Sequence, residues 1–422
     1  MLEGEAMSWT SDKRKPAFRI AAKALAKALA DVVEVTPPGS KDTVPIMTTV
    51  RIAAGEGALT LTGCDLDQWI IRTLATSDRE PNSAEWMASI RPFSTCVPAR
   101  ALLAIARKID GDAMVTVAGP DEKDSRVTIT AGRSRFRVAC LPVDDFPFPN
   151  NPDLVHSFSI AAASLRDVFG RVEHAISTEE TRYYLNGVYM HPEGLEQRFA
   201  ATDGHRLARL VQDGPDGAAS FPAVIVGRRT VAVLDKLLDA ATKVDNSTSD
   251  DAAKGCERPM VDIDADSCGR VIHWSMPTPD GGEVTLIAKT IDGTFPDYAR
   301  VIPAEQANVL TIDRQALAGA ISRVATVCSD KTRAVKLELA GGDKAIVSTT
   351  SPDIGDAMEE LACAYAGDPL TIGFNGDYWR SCLSAVATDN VVMKFTNEGG
   401  PCRIEAEGGE AALVQVLMPL RV

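Results

Sequence analysis

One order of elements recurs three times along these 422 residues, at a period of about 140 residues. Each copy reads as a helix, a set of strands, a second helix and further strands. A chain written this way folds as three units of one plan rather than around a single core. The first helices are expected at Phe18–Val33, Ala161–Ser177 and Asp313–Val327, because apolar residues fall at three- and four-residue steps. Leu25, Leu29 and Val32 form one such stripe, and Leu317, Ile321 and Val324 another. The second helices are expected at Pro98–Ile109, Arg228–Ala240 and Asn375–Val386, with Pro98 at a helix start and Asn375 placed as an N-cap.

Between the helices lie alternating segments such as TVRIAA, ALTLTG, QRFAATD and KAIVSTT, which read as strands. A strand ending in a polar turn returns at residues 59–65, 198–204 and 345–353, and each copy closes on a related strand end. Boundaries then fall near Asn150 and Pro303, giving an α+β chain of three tandem units at 17–150, 151–303 and 304–422. Repeated units at even angles are natural parts of a closed symmetric ring. Two polar stretches stand outside the plan and read as mobile: a flexible extension over 1–16 and an insertion over 243–258.

No apolar run approaches the ~18 residues that span a bilayer, and the start lacks the apolar stretch of a secretory signal, so the chain is expected in the cytoplasm, with no membrane partner. The nine cysteines, at 64, 96, 140, 256, 268, 328, 363, 382 and 402, include no Cys-x-x-Cys. They are expected to be reduced, mostly buried small apolar residues, with no metal site. A net charge of −14 argues against a protein that grips nucleic acid through a wholly basic surface. Any DNA must be held loosely, by geometry or by a local basic face.

Six segments, in order along the chain from about Phe18 to Val422, carry a family resemblance: TVPIM (43–47), RYYLNG (182–187), ATDGHRL (201–207), FPDYARVIP (295–303), IGFN (372–375) and MPLRV (418–422). Through them the sequence resembles the β subunit of bacterial DNA polymerase III, the sliding clamp. The resemblance implies three clamp-type domains, each of two helices plus antiparallel sheets. It implies a head-to-tail homodimeric ring with helices lining the hole, which encircles duplex DNA without reading its sequence and tethers the replicative polymerase for processive synthesis. The polymerase, the clamp loader and repair factors would dock through short peptide motifs in a pocket between the second and third domains. Neither cofactor nor catalysis is implied.

A clamp needs inward-facing cations that reach phosphates without base contacts. Lys23 and Lys27 face away from the Leu25–Leu29 stripe, and Arg100 and Arg107 face away from Leu102 and Ile105. The resemblance adds Lys41, Arg182, Tyr183, Tyr184, Arg228 and Arg229 as DNA-facing. Each could equally be a solvated helix-surface residue.

By match to the family's motifs, the peptide pocket takes Leu185, Thr202, Gly204, His205, Arg206 and Leu207 from the second domain, with Pro296, Arg300 and Val301. From the third domain come Asn375, Tyr378, Val416, Leu417, Met418, Pro419, Leu420 and Arg421. Met418 would offer an adaptable apolar surface, Gly204 a close backbone approach, and Arg206 and Arg421 a polar flank. Leu185 and Leu207 also fit plain core positions. Thr332 and Gly399 replace bulkier residues of the family pattern, which would make the pocket shallower. The dimer edge falls at Thr326 and Val327.

Asp203 and His205 stand two apart, as two members of a catalytic triad could, but no Gly-x-Ser-x-Gly elbow accompanies them. A phosphate-cradling Gly-rich loop and a His-Glu-x-x-His metal motif are also missing from the sequence. The expected function is a non-catalytic processivity clamp. The alternative is a divergent or accessory clamp-like scaffold that does not support the main replicase.

Overall fold

The computed structural model describes residues 17–421 apart from 41–42, 56–57, 76–91, 112, 121–124, 150–151, 245–257, 305, 329–332 and 409–411. The extension over 1–16, nearly all of the 243–258 insertion, Lys41, Thr332 and Cys256 therefore lie outside the described residues.

Six helices of eight or more residues stand among the described residues, in three packed pairs. These are α1 (Ala22–Val33) on α2 (Ala99–Lys108), α3 (Ala162–Val172) on α4 (Arg228–Ala241), and α5 (Arg314–Val324) on α6 (Gly376–Ser384). The expected stripes are the buried ones: Leu25, Leu29 and Val32 on α1, and Leu317, Ile321 and Val324 on α5. Asn375 caps α6, its Oδ1 accepting from the N–H groups of Asp377 at 3.0 Å and Tyr378 at 3.1 Å.

The first helix begins later than its periodicity implies. Phe18–Ala21 is a strand, paired antiparallel with Met114–Ala118 from Phe18↔Val117 to Ala21↔Met114. Four residues satisfy either period, and the distant partner strand decides between them. Likewise Ala161 ends the strand Leu154–Ala161, and Pro98 precedes α2 rather than opening it.

The chain forms two compact units. One holds the first third with His273–Ala288; the other holds Pro152–Thr242, Arg258–Ile272 and Lys289–Val422. In the first unit a four-stranded sheet runs Phe18–Ala21, Met114–Ala118, Arg126–Ala131, Ser134–Ala139 in spatial order. A second sheet sets Phe93–Pro98, Thr49–Gly55, Ala58–Cys64 and Gln68–Ala75 side by side, and Glu283–Ala288 continues it along Gln68–Thr73.

Arg72, on this second sheet, is fully buried. Its Nε donates to Asp31 Oδ2 at 3.0 Å, its Nη1 to the Glu283 carbonyl at 3.1 Å, and its Nη2 to the Asp280 carboxylate. The ion triad thus fastens α1 to the sheet beneath it.

In the second unit a single antiparallel sheet of twelve strands joins the second repeat to the third. The seam is Arg206–Asp213 paired with Leu413–Leu417, in register from Arg206↔Leu417 to Leu210↔Leu413. This pairing places the ATDGHRL turn beside the C-terminal MPLR segment. Trp379, Phe374, Phe395 and Leu417 fill the core of the C-terminal part.

Of the eight described cysteines, Cys64, Cys96, Cys382 and Cys402 are buried, Cys140, Cys328 and Cys363 are half-buried, and Cys268 is exposed. They are less buried as a set than the sequence implied, since Cys140, Cys268 and Cys328 lie in connecting segments outside the strands and helices, and Cys363 is on a strand that is partly open. Burial pushes the Cys382 thiol up to about 12.

Candidate functional site

The turn from Thr202 to Arg206 is built by Asp203. Its Oδ1 accepts from the backbone N–H of His205 at 2.8 Å and of Arg206 at 2.9 Å, and its Oδ2 accepts from Arg206 Nε at 3.0 Å. Gly204 sits at φ +88°, a left-handed conformation that costs glycine little. With its carboxylate consumed by the turn, Asp203 does not orient the His205 ring. That ring lies instead against Tyr378, with centroids 6.0 Å apart.

Arg206 does not flank an open groove. Its guanidinium lies 4.4 Å from the centre of the Tyr378 ring, and Nη1 donates to Ser381 on α6. It is a staple between the second and third repeats. The close approach to Gly204 is likewise already occupied: a Cβ there would stand 2.7 Å from Arg182 Nη1. Arg182 Nη2 donates to the Asp203 carbonyl at 3.0 Å and Nε to Glu179 at 2.8 Å. The structure therefore turns Arg182 toward the turn, whereas Tyr183 beside it is exposed.

After the seam strand the chain continues as Met418–Arg421. Met418 N donates to the His205 carbonyl at 2.9 Å and Leu420 N to the Gly373 carbonyl at 2.8 Å. The result is an open cavity of about 620 Å³, lined by His205, Asn375, Tyr378 and Met418–Arg421 together with Ala334, Lys336 and Ser348–Thr350. Seven of the residues expected in a pocket thus meet around one cavity.

The others lie elsewhere. Leu185, Leu207 and Val416 are buried in one apolar cluster with Phe295 and Tyr298. Leu417 belongs to the C-terminal core, because alternation along its strand points it to the opposite side from Val416. Pro296, Arg300 and Val301 are exposed on the turn around Tyr298–Val301, where Arg300 pairs with Asp297 at 2.7 Å. Thr202 donates from Oγ1 to the Arg206 carbonyl at 2.8 Å. Gly399 is in an exposed turn outside the cavity lining and does not make it shallower. Lys336 and Ser348 were not named from the sequence; their only local signal is the outward phase of the alternation along Ala334–Leu339 and Gly342–Ser351 respectively.

Near Arg206 and Asp203, burial lowers the His174 imidazole to about 4, with the positive charge of Arg206 adding to the effect. Its Nε2 is buried, with no partner at hydrogen-bonding geometry among the described residues, although the Gln415 side chain lies near the ring.

On the helix surfaces Lys23, Arg100, Arg107, Arg228 and Arg229 are exposed and Lys27 is half-buried. Arg100 Nη2 also reaches the Thr36 carbonyl at 3.3 Å. Tyr184 is half-buried against Tyr183, ring centroids 5.8 Å apart. On the short 3-10 turn Ala325–Val327, Thr326 is exposed and Val327 half-buried. No helix among the described residues is long and apolar enough to cross a membrane.

Three repeats of a helix pair on antiparallel sheet, with a cavity at the seam of the second and third, define a processivity-clamp architecture. Family sequence models agree: the N-terminal, central and C-terminal domains of the DNA polymerase III beta subunit match residues 17–151, 159–257 and 299–421. Among curated relatives, the beta sliding clamp of Caulobacter vibrioides is 34% identical over 404 residues, covering 94% of this chain and 98% of the relative. That of Escherichia coli K12 is 30% identical over 389 residues, covering 92% and 95%. The crystal structure of the Bartonella birtlesii sliding clamp bound to griselimycin superposes with a TM-score of 0.83 at 32% identity, covering 96% of this chain and 99% of that one. A Pseudomonas aeruginosa clamp, also bound to griselimycin, gives 0.82 at 29%, with the same coverage. The chain belongs to the DNA polymerase III beta subunit family, the beta sliding clamps, and is a non-catalytic processivity clamp of the replicase.

Proposed function

We propose that two copies of this chain close head to tail around duplex DNA in the cytoplasm, with three domains per copy at 17–150, 151–303 and 304–422. Lys23, Lys27, Arg100, Arg107, Arg228 and Arg229 face the phosphates, with Tyr183 and Tyr184 beside them. The polymerase, the loader and repair factors dock by short peptides at the cavity around His205, Tyr378 and Met418–Arg421. The reading rests above all on that cavity, which forms only where the second and third repeats share a sheet.

Ring closure is supported by two unlike sheet edges. Ser134–Ala139 ends the four-stranded sheet and carries Arg135 and Arg137. Within Gly355–Ala366, residues 355–362 pair among the described residues on one side only, with Gly342–Ser351, and carry Asp356, Glu359 and Glu360 beside Met358, which is 70% exposed. Glu359 and Glu360 are already paired, with Arg323 and Lys344, so it is the open backbone of the two edges rather than their charge that suits pairing between copies. The turn bearing Thr326 and Val327 packs against this same strand. The alternative of an accessory scaffold has no observation in its favour, since the relatives match over nearly the whole length.

Deleting Met418–Val422 tests the docking site. Affinity for polymerase and loader peptides, read by fluorescence polarisation, should be lost while the dimer mass persists in solution. Retained peptide affinity would place docking elsewhere.

A further inference from the structure

One row of cross-strand partners occurs in all three repeats. Arg51 stands across from Thr62 and Cys96 in the first, Tyr189 from Ala200 and Ile225 in the second, and Lys336 from Ser348 and Gly373 in the third. Each row is met at its end by the segment that follows the repeat's last strand. Leu141 bridges Cys96, the N–H of Ile291 donates to the Ile225 carbonyl at 2.9 Å, and Leu420 bridges Gly373. Residues directly opposite in an antiparallel sheet share a face, so each row with its bridge floors one slot.

What covers the row differs. In the second repeat Phe295 lies flat on Tyr189, ring centroids 4.9 Å apart, and is buried. In the third, Lys336, Ser348 and Leu420 line the open docking cavity. The first is intermediate: the Phe148 ring lies over Arg51, its centre 4.7 Å from the guanidinium carbon, yet Phe148 stays 48% exposed. The segment behind it is fastened independently, since Phe146 is buried and the Pro147 carbonyl accepts from Trp69 Nε1 at 2.9 Å. Phe148 is thus free to turn away about its own side-chain bonds. Beneath the ring, Arg51 Nε is buried with no hydrogen-bond partner among the described residues.

We propose that the first repeat holds a second peptide site, closed by the chain's own Phe148. It is a slot over Arg51, Thr62 and Cys96 that takes an aromatic side chain of a partner peptide in place of Phe148. The reading rests on the docking role given above to the equivalent slot of the third repeat. The incoming ring stacks on the guanidinium as Phe148 does, and a peptide oxygen beside it gives Arg51 Nε the acceptor it lacks. Because the closing ring is only about half buried, displacing it costs about tenfold in affinity relative to an open slot.

The test titrates the full-length dimer calorimetrically with a ten-residue peptide bearing one glutamine, two apolar anchors and a terminal phenylalanine. The wild type should show one site per chain and a second, weaker one. Deleting Met418–Val422 should remove the first and leave the second. In F148A the second site should tighten about tenfold, and in F148A/R51A it should disappear, with Trp69 fluorescence reporting that the first repeat is still folded. Replacing the terminal phenylalanine of the peptide by alanine should weaken the second site by tenfold or more. A single site per chain in F148A, or a second site indifferent to Arg51→Ala in a folded first repeat, would overturn the inference and leave the docking cavity standing. If the deletion changes nothing while the second site behaves as described, the docking cavity falls and the first-repeat slot stands by itself. If no peptide binds to any form, both fall.

Discussion

Replacing Arg72 by methionine should loosen the first repeat more than any surface change. Arg72 is fully buried, and its two carboxylate partners are about a fifth exposed, at 21% for Asp31 and 18% for Asp280. Burial keeps the Asp31 carboxyl above its ordinary range in spite of the guanidinium. At Asp280 burial pushes the same way, but a hydrogen bond from Thr278 and the charge of Arg72 outweigh it, leaving that carboxyl below its range. One cation therefore holds two acids that repel each other. Removing it strands both, and breaking one side of a buried ion pair costs about 3–5 kcal/mol. With a urea slope of about 2 kcal/mol per molar, the first transition should move down by about 2 M. The clamp has more than one unit, so that transition is read by a probe in the first third of the chain, such as Trp69 fluorescence. Methionine at 72 with asparagine at both 31 and 280 should recover at least half of the loss, because no charge is then left buried. A single substitution costing less than about 1 kcal/mol, or a triple variant no better than the single, would refute the triad as the fastening of α1.

Gly204→Ala should cost about 1–2 kcal/mol and weaken peptide binding, since the left-handed backbone and the Arg182 contact both resist a Cβ; peptide titration beside thermal melting checks this. Lys23→Glu with Lys27→Glu should flatten the salt dependence of DNA binding by about two phosphate contacts, whereas Arg171→Ala, already paired with Asp167 at 2.9 Å, should change it little. His174 binds its proton less readily folded, at about 4, than unfolded, at about 6.5. Its contribution is thus complete above about pH 6.5 and is lost as pH falls toward 4, by up to about 3 kcal/mol; His174→Gln should flatten that part of the pH–stability curve.

Much of the fold was legible because α-helical stripes are local. Leu25, Leu29 and Val32 announce a buried face whatever else the chain does. The boundary at Phe18–Ala21 was not legible, because only pairing with Met114–Ala118, about a hundred residues away, makes it a strand. Arg72 carries no local sign of its burial, and nothing near it in sequence points to Asp280. At the cavity the motif residues His205 and Met418, and Tyr378 just beyond the IGFN motif, could be named, but their meeting depends on the seam between Arg206–Asp213 and Leu413–Leu417. Lys336 and Ser348 lie in no motif; they join the site through cross-strand register alone. Arg182 was misplaced for a related reason, its partner being a backbone carbonyl of a distant turn.

The central claim is topological: the protein holds DNA by surrounding it. Clamps loaded onto nicked circular DNA and washed in high salt should stay bound, because counterion competition cannot open a closed ring. Cutting the same circles once should release them by sliding off the ends. Loss in salt before the cut, or equal retention on circles and linear DNA after it, would contradict encirclement.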